Sequence, residues 1–121
     1  MLKGTLLKEG YLIIEAEDGE HGLEMVSKEH PDLVITDFQM PGIDGLEVLA
    51  RIQKLKINLP VILLTGFGDV VLTIKSIQLG AFDYLEKPIS PELLKSTIKL
   101  ALESVKSSNN LVEVFHEDIS S

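Results

Sequence analysis

Cysteine is absent from the 121 residues, and aromatic side chains make up only 5% of them. Without cysteine there is no disulfide framework, no thiolate zinc site and no cysteine nucleophile. Basic residues are outnumbered, 11 against 19 acidic ones, for a formal net charge of −8. A surface of that sign repels phosphate backbones and anionic membranes, which disfavours nucleic-acid binding by this chain alone. Long hydrophobic runs are missing too. Val61-Ile62-Leu63-Leu64 is among the longest and falls far short of a membrane span, and no signal-peptide core follows Met1-Leu2-Lys3-Gly4. What remains is 45% hydrophobic and 25% charged, enough for one domain around one core. The expectation is a soluble, acidic, cytoplasmic globule.

Short apolar runs alternate regularly with amphipathic stretches. Tyr11-Leu12-Ile13-Ile14, Leu33-Val34-Ile35, Val61-Ile62-Leu63-Leu64 and Phe82-Asp83-Tyr84-Leu85 are bounded by Gly, Pro or acidic residues. Continuous apolar runs of this length suit strands buried on both faces, as in a parallel sheet. Between them the helices announce their starts. Asp18, Asp44 and Asp69 are placed to cap, Asp44-x-x-Glu47 has capping-box spacing, and Ser90-Pro91 sets a cap before a first-turn proline. Gly10 and Gly80 read as stops. The order is a helix followed by four strand–helix units, an α/β chain with a doubly wound parallel sheet.

Asp37, Thr65 and Lys87 each fall at the C-terminal end of a predicted strand, 28 and 22 residues apart. In an open parallel sheet that edge is where ligands bind. Singly, the aspartate reads as a cap or loop residue, the threonine as a turn residue and the lysine as a solvated side chain. Together they point to a site. The three histidines, His21, His30 and His116, have no metal-ligand spacing, and Gly42 and Gly45 read as turn residues because no P-loop ending follows them.

The string Ile35-Thr36-Asp37-Phe38-Gln39-Met40-Pro41-Gly42-Ile43-Asp44-Gly45 resembles the phosphoacceptor loop of bacterial response-regulator receiver domains. Leu64-Thr65-Gly66, Gly80-Ala81-Phe82-Asp83-Tyr84-Leu85 and Glu86-Lys87-Pro88 resemble further motifs of that family, in the family's order. The likeness covers about residues 2 to 105, so residues 1–106 read as a receiver-like domain and 107–121 as a polar linker and acidic tail. It implies a CheY-like, flavodoxin-like fold and a phosphorelay role in two-component signalling. Asp37 would accept a phosphoryl group from a sensor histidine kinase or phosphotransfer protein. Lys87 would supply a point charge and Thr65 a hydroxyl to the phosphoryl oxygens, and Gly66 would leave room for their approach. Thr65 and Tyr84 match the family's switch pair, Gln39 and Phe67 its tuning positions, and Pro88 the position of a cis Lys-Pro bond. The face made by helix 69–79, strand 82–85 and helix 90–105 would meet a downstream protein partner. The resemblance implies Mg²⁺ as well, held by Asp37 and the Gln39 backbone carbonyl. That site is weak here, because the family's acidic pair has no counterpart before residue 2.

The same gap removes the family's opening strand, which would lie centrally between the strands at Tyr11 and Leu33. Losing about four buried aliphatics forfeits about 6–12 kcal/mol, against a whole-domain stability of about 5–15 kcal/mol. Four outcomes follow: a poorly folding fragment, closure of the flanking strands into a four-stranded sheet, a strand donated by a second copy in a homodimer by segment exchange, or a fifth strand from the tail. Leu111-Val112-Glu113-Val114-Phe115 followed by Glu117-Asp118 repeats the missing order of apolar run and acids. Glu113 would be costly in a central strand unless paired, so a frayed acidic tail is the plainer expectation.

The reading is a phosphoacceptor and switch rather than a metabolic enzyme. One alternative is a degenerate receiver, a phosphorylation-independent protein-interaction module. Another is a metal-dependent phosphohydrolase, against which stands Gln39, where such enzymes commonly carry a second acid. No output domain follows within these residues, so the output partner is expected to be a separate protein or lost sequence.

Overall fold

The computed structural model describes residues 2–40, 42–66, 68–105 and 110–115. Five strands and five helices are built from them: α1 (Leu2–Lys8), β1 (Leu12–Ala16), α2 (Gly19–Glu29), β2 (Leu33–Asp37), α3 (Gly45–Lys54), β3 (Val61–Thr65), α4 (Val70–Gln78), β4 (Asp83–Glu86), α5 (Pro91–Ser104) and β5 (Leu111–Phe115). All strand pairs are parallel, in the order β1-β5-β2-β3-β4.

The helix starts follow from capping chemistry. The side chains of Asp18, Asp44, Asp69 and Ser90 accept the backbone N–H of His21, Glu47, Leu72 and Leu93 at 2.8, 2.9, 3.1 and 3.3 Å. Gly10 and Gly80, at φ +82° and +91°, close the chain out of α1 and α4 in the left-handed conformation that glycine adopts without strain. The sheet separates two cores. Leu6, Leu94, Ile98, Ala101 and Leu102 from α1 and α5 pack on one face, and Val26, Val48, Leu49 and Ile52 from α2 and α3 on the other.

The central slot is filled by the chain's own tail. β5 lies between β1 and β2, pairing Ile14 with Glu113 and Ala16 with Phe115 on one side, and Val34 with Glu113 and Thr36 with Phe115 on the other. The expectation of a frayed tail is therefore overturned for Leu111–Phe115. Closure of the flanking strands onto each other does not occur, and no strand from a second copy is needed.

Three features seat β5. Asp32 clamps its start: the Asp32 carboxylate accepts the Leu111 N–H at 2.9 Å, and the Leu111 carbonyl accepts the Asp32 N–H at 2.8 Å. Val112 and Val114 alternate into the α1/α5 core. Phe115 enters the α2/α3 core over Gly22, where a Cβ would come within 2.2 Å of the ring. Glu113, fully buried, shares the Phe115 side of the strand.

Candidate functional site

The ends of β2, β3 and β4 bring the predicted residues to one edge. Asp37 is the last residue of β2, paired with Leu64; Thr65 ends β3, paired with Glu86, the last residue of β4; Lys87 follows at once. The Lys87 N–H donates to the Thr65 carbonyl at 2.8 Å, and the Phe38 N–H to the Leu64 carbonyl at 3.0 Å, so the three strand ends are tied by backbone before any side chain acts. The peptide bond between Lys87 and Pro88 is cis.

From these positions the Lys87 ammonium meets Asp37 Oδ1 in an ion pair. The Asp37 carboxylate is mostly withdrawn from solvent, 15% exposed, while the lysine side chain is half exposed at 51%. Lysine is thus the countercharge of a carboxylate with little water to screen it. Phe38, Gln39, Leu64, Gly66, Asp69 and Lys87 line an open depression of about 200 Å³ beside this pair.

The other predicted residues are arranged less tightly. The Thr65 hydroxyl is buried and donates to the Leu85 carbonyl at 3.5 Å. Tyr84 is half-buried on β4, opposite Leu63. Gly66 and Gln39 are exposed. Phe67 lies outside the described residues. His21 and His30 are exposed, in keeping with surface roles, and His116 is outside the described residues.

Two contributors were not singled out by motif. Glu86 Oε2 accepts the Gly68 N–H at 3.0 Å, tethering the loop after Thr65 to β4; its place directly before Lys87 was the available signal. Gly45 is more than a turn residue. It opens α3, its N–H donates to the Phe38 carbonyl at 2.8 Å, and a Cβ there would lie 2.5 Å from the Asp37 carbonyl oxygen. Only glycine lets α3 press this closely on the strand end that carries Asp37. A glycine following a capping aspartate was its sequence trace.

Mg²⁺ takes hard oxygen donors, usually few carboxylates and several waters. At this edge the described residues offer the Asp37 carboxylate, already facing a lysine, the Gln39 carbonyl two positions on, and the Asp69 carboxylate, which is engaged in capping α4. Among the described residues, no group of three or more His, Cys, Asp or Glu could hold a metal. These residues do not by themselves fit the ion, and Glu117 and Asp118 lie outside the described residues.

The chemistry of the edge is that of a shielded carboxylate held by a cation beside an open depression, suited to receiving a small anionic group. Among the described residues no helix is long and apolar enough to cross a membrane.

Known proteins share both sequence and architecture. The chain is 35% identical over 99 residues to sporulation initiation phosphotransferase F of Bacillus subtilis, covering 82% of this chain and 80% of that protein. It is 40% identical over 98 residues to the transcriptional regulatory protein GlrR of Escherichia coli, covering 81% of this chain but 22% of GlrR. Other matched transcriptional regulators are likewise longer, the chain spanning at most 44% of them. In three dimensions it matches a response-regulator receiver domain protein from Clostridium thermocellum with a TM-score of 0.81 and 34% identity, covering 87% of this chain and 85% of that one. The receiver domain of NtrX from Brucella abortus matches with a TM-score of 0.79 and 33% identity, covering 84% and 86%. The family model of the response-regulator receiver domain matches residues 1–99. With the parallel sheet and the carboxylate–lysine edge already in place, these matches establish that the chain belongs to the receiver-domain family of two-component response regulators.

Proposed function

We propose that Asp37 is the phosphoacceptor of this receiver domain and that its phosphorylation is read out by α4, β4 and α5. The ion pair between Lys87 and Asp37 carries the proposal, because it sets a fixed positive charge where the phosphoryl oxygens would arrive. A carboxylate oxygen of Asp37 attacks the phosphorus of a donor phosphohistidine. The P–N bond breaks, its electron pair stays on the imidazole nitrogen, and that nitrogen takes a proton from solvent. The product is an acyl phosphate, with Lys87 neutralising oxygen charge through the transfer. The donor is a sensor histidine kinase or phosphotransfer protein. Receiver domains generally bind Mg²⁺, and the described residues do not by themselves complete such a site.

Readout requires the Thr65 hydroxyl to leave the Leu85 carbonyl for a phosphoryl oxygen, with Tyr84 changing rotamer beside it. The proposed output face supports a protein partner. Val70, Val71, Ile74 and Ile77 of α4 are 51–65% exposed, and Leu93 of α5 is 52% exposed. An apolar stripe on a net acidic molecule favours a protein surface over nucleic acid. The domain acts as acceptor and switch, not as a turnover enzyme.

Backbone amide shifts before and after phosphorylation test the readout. Changes extending through Val70–Gln78, Asp83–Glu86 and Pro91–Ser104 are expected. Changes confined to the loops around Asp37, or partner binding that ignores Asp37→Asn, would favour a phosphorylation-independent interaction module instead.

A further inference from the structure

Glu113 is a buried carboxyl that the phosphoacceptor site does not use. It is fully buried at the middle of β5, and among the described residues neither carboxyl oxygen has a hydrogen-bond partner. Its register neighbours are Ile14 on β1 and Val34 on β2, which offer it nothing polar from their side chains.

Among the described residues, the charged groups nearby do not compensate it. On β1, Glu15 pairs with Val114 and falls on the opposite face. On β2, Asp32 is engaged by the Leu111 N–H, and the only other ionisable residue of that stretch is Asp37, held by Lys87. On α2, Lys28 and Glu29 are exposed in the last turn, and it is the Glu29 charge that acts on Glu113. On α3, Arg51 pairs with Glu20 and Glu47 at the surface. An ionised carboxylate in this setting is strongly disfavoured.

We propose that β5 is a proton-dependent latch: it occupies the slot between β1 and β2 with Glu113 protonated, and ionisation of Glu113 releases it. The latch rests on the position of β5, not on phosphorylation of Asp37, so the two proposals fail independently. Its functional reach is direct, because β5 flanks β2 as far as Thr36, the residue before Asp37.

The pH window follows from the environment. Burial, and then the Glu29 charge, raise the Glu113 pKa from 4.5 to about 8. Below the lower value both the docked and the released strand hold the proton, and docking is at its strongest. Between the two values docking takes up one proton, so its equilibrium constant falls about tenfold per pH unit. Above about 8 the fall ends, on the order of a thousandfold lower in all.

The test is a pH titration of the full ¹³C-labelled chain, following the Glu113 carboxyl carbon and the methyl groups of Val112 and Val114. The latch predicts that Glu113 titrates near 8, and that the docked methyl signals weaken as pH rises toward that value. Glu113→Gln, or Glu113→Leu if the first variant does not fold, should keep β5 docked with no pH slope. Titration of Glu113 near its ordinary value of 4.5 while the methyls stay docked would overturn the proposal. So would an unchanged pH slope in the neutral variants.

Discussion

At the residue scale, the site depends on how closely glycine allows two backbones to approach. Gly45 brings the first turn of α3 against the carbonyl of Asp37, and the obstruction to a side chain there is backbone, which cannot rotate away. Gly45→Ala is therefore expected to destabilise the domain by about 1–3 kcal/mol, the usual cost of overpacking. The shift should appear as a lower melting temperature. Gly66→Ala is the control, since nothing lies within 4 Å of a Cβ at that position. Equal melting temperatures for the two variants would contradict the packing argument. The placement of Asp37 and Lys87 at strand ends was legible in the sequence, because each closes or follows a short apolar run. The Thr65 hydroxyl bond to Leu85 was not, because a hydroxyl rotamer depends on which acceptor the neighbouring strand presents.

At the element scale, β5 is the most informative piece. Its seat combines the Asp32 clamp, the valines in one core and the Phe115 ring lodged against Gly22. Phe115→Ala should cost about 3–5 kcal/mol. Gly22→Val should also weaken β5 docking, because its side chain would claim the space of the ring. Both effects should be visible as loss of amide-exchange protection at Val112 and Val114, and retained protection would argue against the seat. The four capped helices were readable because a cap is a local device, with the accepting side chain and the donating N–H three residues apart. β5 was readable only as a candidate. Glu113 interrupts its apolar pattern, and the empty slot that gives the strand its value is made by residues about eighty to a hundred positions earlier in the chain.

At the scale of the whole molecule, one strand makes the sheet continuous. Within the sheet β1 reaches the β2-β3-β4 strands only through β5, while the packing of α1 on α5 and of α2 on α3 links the same halves above and below it. Removing residues 107–121 takes away the burial of Val112, Val114 and Phe115, about 5–9 kcal/mol. That is comparable with the whole stability of an ordinary domain. The shortened chain should melt far below the full one or fail to fold cooperatively, as read by thermal denaturation. An unchanged melting temperature would mean that β5 contributes nothing to the fold. The receiver architecture is thus kept with its central strand drawn from the end of these residues.

The central claim is that Asp37 accepts a phosphoryl group under the charge of Lys87. The most direct measurement is the intact mass of the full chain after incubation with a small phosphoryl donor and Mg²⁺, beside Asp37→Asn and Lys87→Ala, with folding of each checked by circular dichroism. The native chain is expected to gain one phosphoryl group and Asp37→Asn none. Lys87→Ala should incorporate it more slowly, on the order of a hundredfold, the scale of losing one stabilising charge at a transition state. A folded native chain that gains no mass, or an Asp37→Asn chain that gains as much as the native one, would contradict the claim.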